Sequence, residues 1–374
     1  MIIREATTRK DVNRFIKLPW KIYQNDPSWV PPLIAERRDA LNRQKNPFFE
    51  HADVKLFLAE GEGGSELGRI AGIVNFNHIR THNEKVGFFG LFECVNDQSV
   101  ANGLFDQAGA FLRSHGMEAM RGPENMSVNE EIGLLIQGFH TPPMIMMPHN
   151  PPYYEPLVEA YGFKKAMDLY AYYGEEKRGL IPERVEKGVE LAKRRYKFVV
   201  RPVRMNDFDA ELKRIQGVYN SAWQENWGTV PMTDREFEHL AGKLKPIVDP
   251  DLCLIAEVNG EMAGFSLALP DFNQILIRLN GRLLPLGVFK LLYYRRKIDA
   301  IRIITMGVVK RFRHMGIDNC FYYETYRRGL AKGIWRGEMS WVLENNMVMN
   351  RILENLGFTI YKKYRLYDFP LHSS

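Results

Sequence analysis

Apolar and polar positions alternate with two different periods towards the C-terminal end of the chain, and each period predicts a different element. Residues 301–306 are β-branched or apolar at most positions, which predicts a strand. From Cys320 to Leu330 bulky side chains recur at helical spacing, which predicts a helix over residues 319–330. The segment between them is rich in basic residues and glycine. We therefore predict a strand, a tight basic loop and a helix in this order.

The basic loop is the first candidate site. A loop that leads from a strand into a helix points several backbone N–H groups and the positive end of the helix dipole at one place. Arg313 adds positive charge, and Gly316 removes a Cβ atom where a ligand has to approach the backbone closely. Residues 306–318 therefore predict a site for a phosphate or pyrophosphate group.

The same patterns occur twice in the chain. Apolar runs separated by glycine-containing turns predict one hairpin within residues 56–74 and another within residues 252–267. Gly-Phe pairs at Gly162 and Gly357 each end a predicted helix and begin a predicted strand. Corresponding motifs lie nearly the same distance apart along the chain, so we interpret the sequence as a duplicated α/β unit.

The repeat predicts a division into a domain at residues 1–176, a connecting helix at 177–198 and a domain at 199–374. The connecting segment mixes acidic and basic side chains, which is typical of a solvated helix. In each half the order of helices, hairpin and later strands predicts a sheet that is antiparallel in part and parallel beside the loop. The predicted fold class is therefore mixed α/β, with two similar domains in tandem.

Residues 274–297 have no counterpart in the first half. Apolar side chains alternate there with six Lys and Arg residues, which predicts an amphipathic helical insert. In one interpretation the insert packs on its own, second domain. In the other it is a basic amphipathic surface for an acidic lipid or a tRNA, or a lid over the substrate.

The composition narrows the class of protein. Of the 374 residues, 45% are hydrophobic and 26% charged, as in ordinary globular proteins. No apolar run reaches the roughly 18 residues of a membrane span, and no signal peptide is recognisable at the N-terminus. Three distant cysteines argue against a disulfide framework and favour a cytoplasmic location. The net charge of +6 suits an anionic ligand and is too small to predict DNA binding.

Two motifs in the second half resemble those of the GNAT superfamily of acyl-CoA-dependent N-acyltransferases. The first family motif is Arg or Gln, two residues, Gly, one residue, and Gly or Ala; residues 313–318 match its Arg and first Gly, whereas Asp318 replaces the small last residue. The second motif is a strand, an Asn and a helix that closes on Gly-Phe, and residues 340–358 match its order and spacing. The resemblance covers both halves and implies two GNAT-like domains in tandem, of which the first is a degenerate copy without the loop motif.

The resemblance implies that acetyl-CoA or another acyl-CoA is bound as a co-substrate. The strand edge at Val308 and Val309 would pair with the extended pantetheine arm as another strand would. The pyrophosphate would lie on the loop, and Asn346 would hold the cofactor or the gap between the parting strands. The residues predicted to bind the cofactor are Val308, Val309, Arg313, His314, Met315, Gly316, Ile317, Asp318 and Asn346.

Fewer residues are candidates for the chemistry. Glu344 ends the strand that faces the presumed thioester and is the predicted catalytic base, although it could equally cap the next helix. The family often has a Tyr that protonates the leaving thiolate where this chain has Leu353. Asn226 and Trp227 lie where the resemblance places an acceptor-binding loop, and anchoring of that loop is the alternative role. No metal site is predicted, because no third ligand accompanies His78 and its neighbour at four residues' distance.

These motifs predict an enzyme, a GNAT-type N-acyltransferase that moves an acetyl or acyl group from acyl-CoA to an amine of a small molecule or amino acid derivative. A Fem-like aminoacyl-tRNA-dependent transferase is an alternative, since such enzymes are also tandem GNAT folds and the basic insert suits tRNA. The CoA loop disfavours tRNA as a partner. A non-catalytic acyl-CoA-binding protein is the third possibility, supported by Leu353 and Asp318. The sequence does not indicate an oligomeric state.

Overall fold

The computed structural model describes residues 1–176, 183–222 and 226–371. The chain forms two compact units, and neither is continuous in sequence. The first unit contains Met1–Leu169, Ile275–Leu292 and the chain from Lys362; the second contains Tyr170–Gln274 and Tyr293–Tyr361. The domain boundaries drawn from the repeat remain a prediction.

The elements of the first half come before the connecting helix in the chain. They are β1 (Ile2–Glu5), α1 (Arg9–Lys17), α2 (Pro19–Ile22), α3 (Ile34–Ala40), β2 (Ala52–Glu60), β3 (Glu66–Asn75), α4 (Phe76–His82), β4 (Val86–Cys94), α5 (Gln98–Ser114), β5 (Ala119–Gly122), β6 (Glu124–Asn125), β7 (Glu131–Ile132), β8 (Leu134–Gln137), α6 (Tyr154–Tyr161) and β9 (Lys164–Glu175).

The connecting helix and the elements of the second half follow. They are α7 (Glu183–Tyr196), β10 (Phe198–Pro202), α8 (Phe208–Ala222), α9 (Asp234–Leu244), β11 (Cys253–Val258), β12 (Glu261–Pro270), α10 (Asn273–Leu279), α11 (Gly287–Arg295), β13 (Ala300–Val308), α12 (Ile317–Ala331), β14 (Arg336–Leu343), α13 (Met347–Asn355) and β15 (Thr359–Pro370).

The sheet of the first unit is antiparallel from β1 to β4 and becomes parallel between β4 and β5. The C-terminal part of β15 pairs antiparallel with β5 and β8. Helix α5 packs across β2, β3 and β4, and its Phe105 lies against the rings of Phe89 and Phe163 in the core. These aromatic side chains are fully buried because the helix covers the apolar face of the sheet.

The sheet of the second unit repeats this order. It is antiparallel from β10 to β13 and parallel between β13 and β14. Helix α12 buries Cys320 and Phe321 against Leu254 and Ala256 of β11. The predicted hairpins, strand and helix are all present, and the predicted mixed α/β fold is confirmed. No helix in the described ranges combines the length and apolar character that crossing a bilayer requires.

The insert at residues 274–297 forms α10 and α11, and its position differs from the expectation. Residues 275–292 belong to the first unit, so the expectation that the insert packs only on its own, second domain is wrong. Trp20 Nε1 donates to Asn280 Oδ1 at 2.8 Å, and the Ile34 amide donates to Gly281 O at 3.1 Å. Gly281 has φ +77°, and a Cβ atom there would lie 2.4 Å from the Trp20 ring. Periodicity predicted the helices and could not indicate their packing partner.

Candidate active site

The two parallel strands β13 and β14 separate part of the way along their length. Their pairing runs from Ala300 with Arg336 to Ile303 with Met339, where the register ends in the described part of the chain. Strand β13 stays paired with β12 up to Val308. We call the gap that opens between β13 and β14 beyond Ile303 the fork.

A bulge coincides with the start of the fork. Leu267 of β12 pairs with Thr305, whereas the next residue, Ala268, pairs with Ile303. Ile304 is therefore an extra residue on β13. A bulge bends the strand that carries it and increases its twist. The bend explains why β13 follows β12 and leaves β14 at this point.

One edge of β13 faces the fork. The Val309 amide donates to Ala263 O at 2.9 Å, which directs it towards β12. Antiparallel pairs alternate in direction, so the backbone groups of Met306 and Val308 point the other way, into the fork. Arg313 Nε lies 3.4 Å from Val308 O, consistent with this direction. The open edge of β13 therefore includes Met306 and Val308, whereas the Val309 amide is directed towards β12. Pairing of this edge with a ligand remains a prediction.

The basic loop leaves β13 through a short 3₁₀ turn at Lys310–Phe312. His314 and Gly316 both have positive φ, +70° and +77°, and Gly316 is the residue from which α12 begins. No described side chain caps this helix, so the N–H groups of its first turn are not taken up by a side-chain oxygen. An uncapped helix N-terminus next to Arg313 is a favourable place for an anion.

The other predicted loop residues surround this helix start. Ile317 is buried in the core and anchors the first turn, whereas Arg313 and His314 are exposed and Met315 is half-buried. Asp318 lies in the first turn, and its charge contributes to a raised pKa of Tyr322, for which burial is the main cause. The structure thus brings the loop residues together at one helix end.

Tyr322 was not singled out by the sequence. Tyr322 is a residue of α12 with a buried side chain, and its hydroxyl donates to Sδ of Met349 in α13 at 2.9 Å. Its neighbours differ: the Tyr323 hydroxyl lies 2.5 Å from a carboxylate oxygen of Glu186, and Tyr326 donates to Glu176. Helical spacing pointed to Tyr323 and Tyr326 and did not include Tyr322, which is the tyrosine that contacts Met349.

Three predicted positions lie on or before α13. Leu353 is completely buried in the core. Asn346 caps the helix, because its Oδ1 accepts the Met349 amide at 3.2 Å, so its side chain has a structural role. Glu344 follows β14 directly and is half-buried, and its backbone carbonyl accepts from Asn350 Nδ2 at 3.2 Å. Its predicted role as a base remains a prediction.

A buried polar cluster at the apex of the fork also escaped the sequence analysis. Arg302 and Glu338 are paired across β13 and β14, both are fully buried, and Arg302 Nε lies 3.4 Å from Glu338 Oε1. Ser340 accepts from Arg302 Nε at 2.8 Å and donates to Glu338 Oε1 at 2.5 Å. Tyr361 donates to Glu338 Oε2. The carboxylate is therefore held by hydrogen bonds on both oxygens, which fixes the two strands where they part.

Two buried polar atoms beside the fork have no hydrogen-bond partner within the described residues. They are Thr305 Oγ1, just after the bulge, and Trp341 Nε1, where β14 has left β13. The Trp341 ring also packs on the Arg302 guanidinium at 4.9 Å. Unpartnered buried polar groups are unfavourable, so they fit a ligand that brings amide groups, as the pantetheine arm does.

The matching position in the first unit is closed. Strands β4 and β5 pair only over Val86–Phe88 with residues 119–121 in the described register, and β6 then lies next to β4. A Cβ atom at Gly90 would lie 1.9 Å from Glu124 O, and the Leu91 amide donates to Asn125 Oδ1 at 2.7 Å. The chain itself thus takes the place that the fork leaves open in the second unit.

The helix start in the first unit is closed as well. Asp97 caps α5, with its Oδ1 accepting the Ser99 amide at 2.8 Å and the Val100 amide at 3.4 Å. A carboxylate therefore lies where an anionic ligand would have to bind. Hydrogen bonds from Ser99 lower the pKa of Asp97, so it stays charged at neutral pH. These contacts give a physical reason to expect no pyrophosphate site in this unit.

The predicted acceptor loop is described only in part. Residues 223–225 lie outside the described residues, while Asn226 and Trp227 are both half-buried. The Asn226 carbonyl accepts the Thr229 amide at 3.3 Å, and Gly228 between them has φ +71°. This is a turn that fixes the loop backbone. Contact of Asn226 or Trp227 with an acceptor remains a prediction.

Solved structures with this fold include a tandem GNAT protein from the clavulanic acid biosynthesis pathway. It covers 100% of the chain and 99% of its own length, with a TM-score of 0.59 and 11% identity. A GCN5-related N-acetyltransferase from Sphaerobacter thermophilus covers 100% of the chain and 96% of its own, with a TM-score of 0.52 and 14% identity. At these identities the likeness concerns the fold.

Two relatives match by sequence over almost the whole length. The bacterial ceramide synthase of Caulobacter vibrioides is 42% identical over 376 residues, which is 97% of this chain and 96% of the relative. The chain belongs to the same family as this protein. Protein YghO of Escherichia coli K12 is 34% identical over 374 residues, 98% of this chain and 95% of its own. No model of a protein family matches the chain.

The resemblance stated from the two motifs is thereby confirmed: this family member is a GNAT-fold protein with tandem domains. The Caulobacter relative is named for ceramide synthesis, and its name mentions neither a small amine nor an acetyl group. The acyltransferase fold agrees with the prediction, whereas the small acceptor and the acetyl donor gain no support from that name.

Proposed function

We propose that the chain is an N-acyltransferase that moves a fatty acyl group from acyl-CoA to the primary amine of a long-chain base. The observation that carries this proposal is the 42% identity to a bacterial ceramide synthase across nearly all of both chains. A ceramide is the amide of a fatty acid with a long-chain amino alcohol. Compared with the prediction from the sequence, the proposal specifies a fatty acyl group as the group transferred. It also takes a lipid amine, and not a small amine, as the acceptor.

The second unit supports the choice of an acyl-CoA donor. The fork exposes the backbone of Met306 and Val308, with which the amide-rich pantetheine arm can pair as an added strand. The uncapped start of α12 and Arg313 suit the pyrophosphate. These features hold the thioester in place and align it for attack, which is a large part of catalysis for acyl transfer.

The reaction forms a C–N bond and breaks a C–S bond. The neutral amine nitrogen attacks the thioester carbonyl carbon, the carbonyl oxygen carries the negative charge of the intermediate, and the CoA sulfur leaves with the bond electrons. One proton is removed from the nitrogen and one is taken up by the sulfur. Glu344 is the proposed acceptor of the first proton, directly or through water.

Tyr322 is the proposed donor of the second proton. Leu353 has no proton to give, but Met349 lies one helical turn before it on the same face of α13. Tyr322 reaches this face from α12, with its hydroxyl 2.9 Å from Met349 Sδ. Burial first, and the charge of Asp318 second, raise the pKa of Tyr322, so the phenol carries its proton at neutral pH.

The test measures thiol release and product mass with the purified chain. Palmitoyl-CoA with sphinganine is expected to give free CoA and the N-palmitoyl product, whereas acetyl-CoA with short amines gives little of either. The opposite preference would overturn the lipid acceptor. Tight CoA binding without thiol release for any amine would favour a non-catalytic binding protein, and transfer from an aminoacyl-tRNA would favour the Fem-like alternative.

A pair of neighbouring arginines supplies matched variants for this assay. Arg313→Gln removes the charge at the helix start and is expected to raise the KM for acyl-CoA about tenfold. Arg311→Gln removes an equal charge that is paired with Glu261, and we expect little change. Equal effects of the two variants would indicate general charge attraction and not a bound pyrophosphate.

A further inference from the structure

A row of apolar side chains is exposed on the insert. Leu284, Leu286, Phe289 and Leu292 are 74%, 68%, 70% and 62% exposed. We call these four residues the apolar ridge. Isolated exposed leucines are common, but four large exposed apolar side chains within nine residues are a concentration of the kind that binds a partner or a membrane.

All the charged residues in the segment that carries the ridge are positive. The sequence from Phe272 to Ile298 contains six Lys and Arg residues and no Asp or Glu. Of these cations, Arg282 precedes the ridge in the sequence and Lys290 lies between Phe289 and Leu292, and both are exposed. Apolar side chains with cations at their sides are the pattern of helices that lie in the interface of a membrane with anionic lipids.

The ridge has a fixed base. The turn before it is held to the first unit by the hydrogen bonds of Asn280 and Gly281. Lys290 Nζ donates to the Arg278 carbonyl at 3.0 Å, which ties α11 to the end of α10. Gly287 is buried, and a Cβ atom there would lie 2.6 Å from the Arg282 carbonyl. The exposed side chains therefore project from a packed segment, so ordering them on a surface costs little backbone entropy.

We propose that the apolar ridge, with Arg282 and Lys290, docks the protein on the surface of a membrane that contains anionic lipids. The four side chains enter the boundary between head groups and acyl chains. Arg282 contacts the lipid phosphates, and Lys290, bonded to the Arg278 carbonyl, adds to the positive charge of the docking surface. The docking is peripheral, since the nine residues of α11 are about half of what a spanning helix needs. This inference does not depend on the reaction and goes beyond the proposed function.

Vesicle binding of the full chain tests the proposal. The chain is expected to sediment with phosphatidylglycerol vesicles and much less with phosphatidylcholine vesicles, and added salt should weaken the binding. The double substitution Leu286→Gln and Phe289→Gln should lower the partition coefficient at least about tenfold. Leu191→Gln is the matched control, because Leu191 is 67% exposed on α7, outside the ridge, and its loss should change nothing.

A second arm addresses charge. Arg282→Gln should lower binding to phosphatidylglycerol vesicles about fivefold and leave binding to neutral vesicles unchanged. Acyl transfer from palmitoyl-CoA to sphinganine in neutral detergent, without vesicles, should be equal in all these variants. If the unsubstituted chain does not transfer the acyl group, the proposed function is wrong. If the variants transfer it normally and lose only vesicle binding, the ridge acts in docking.

Several outcomes would overturn the proposal. Undiminished vesicle binding by the double variant would exclude the ridge as the membrane contact. A dimer in gel filtration that the double variant converts to a monomer, with no vesicle binding by either, would make the ridge an interface between copies. Retention of tRNA that Arg282→Gln abolishes, again without vesicle binding, would identify a nucleic acid as the partner.

Discussion

At the scale of single residues, Gly316 combines a conformational and an electrostatic role. Its φ of +77° belongs to the left-handed region that glycine adopts most readily, and it starts a helix that has no side-chain cap in the described structure. The sequence motif indicated the glycine. The conformation explains why the position tolerates little else, since an alanine Cβ would also lie 3.3 Å from Ala192 Cβ.

We expect Gly316→Ala to weaken CoA binding at least about tenfold, because the first-turn amides shift when the residue leaves its conformation. Isothermal titration with CoA measures the effect. Gly333→Ala is the control, since Gly333 has φ +79° in the same unit and open space around it. Both variants should lose similar stability, and only the first should lose affinity. Equal affinities would argue against a pyrophosphate at this loop.

Tyr322→Phe should lower kcat about tenfold or more and leave the KM for acyl-CoA nearly unchanged, because a proton donor acts in the transition state and not in binding. Steady-state thiol release measures both constants. Tyr323→Phe removes a hydroxyl one position away that contacts Glu186, and it should be close to the unsubstituted chain. If the Tyr322 hydroxyl has only a structural role, the variant should have a lowered melting temperature, and its folded fraction should have a normal kcat.

Glu124 predicts a dependence of stability on pH. Burial raises the pKa of this carboxyl group from 4.5 to about 8, with only partial compensation by Arg121 and the Val128 amide. Between these values the native state keeps a proton that the unfolded state has lost. Stability should therefore fall by about 1.4 kcal/mol per pH unit from about pH 5 to pH 8.

The glutamine variant isolates this effect. Glu124→Gln should match the original chain near pH 4 and be more stable than it at pH 8, as measured by urea denaturation at both pH values. If the two unfolding curves keep the same separation at both pH values, Glu124 does not titrate in this range.

The loop residues were recognisable from the sequence, whereas the buried polar cluster at the apex of the fork was not. Arg302 interrupts an apolar strand and Glu338 lies in another, so each was visible as an unusual residue. What joins them is the register of a parallel pair, which depends on tertiary structure and not on local pattern. Asn346 was recognisable from the sequence as a candidate to hold the cofactor or the gap between the strands. The structure adds that its side chain caps α13, a contact that the residue type alone did not indicate.

At the scale of elements, the fork depends on what holds β13 and β14 together up to the point where they part. In the described register Arg302 and Glu338 form a buried charged pair, one position before the last paired residues, Ile303 and Met339. Buried ion pairs are costly to break, because removal of one partner leaves the other charge without compensation.

Arg302→Met should therefore destabilise the chain by about 3–5 kcal/mol, measured by chemical denaturation. The double variant Arg302→Met with Glu338→Gln should recover part of this loss, because no unpaired charge remains. If the double variant is as unstable as the single one, packing of the arginine and not its charge holds the strands.

The predicted elements were found because hairpins, amphipathic helices and Gly-Phe helix ends are local signals. The bulge at Ile304 has no such signal, since β-branched residues occupy both sides of it. The location of α10 was also beyond the sequence, because apolar periodicity shows that a face is buried without naming the element that buries it.

At the scale of the whole molecule, two copies of one fold have different capacities. The second unit has an open fork and an uncapped helix start; in the first unit Asn125 and Asp97 fill the equivalent places. Duplication therefore does not imply two equal sites.

We expect one CoA bound per chain in a calorimetric titration, and no residual binding in Gly316→Glu, which places a carboxylate beside the pyrophosphate position. Asp97→Asn is the control and should leave the stoichiometry at one. A stoichiometry of two, or half of the heat remaining in Gly316→Glu, would show that the first unit also binds the nucleotide.

The last strand has a consequence for how the chain is made. From Lys362 onward β15 belongs to the first unit, where it covers the edges of β5 and β8. The ribosome makes this part of β15 after β5 and β8, so these two strands emerge with an unpaired edge that stays open until residues 362–370 follow. Separating the chain between the two halves would therefore leave each fragment without part of its compact unit.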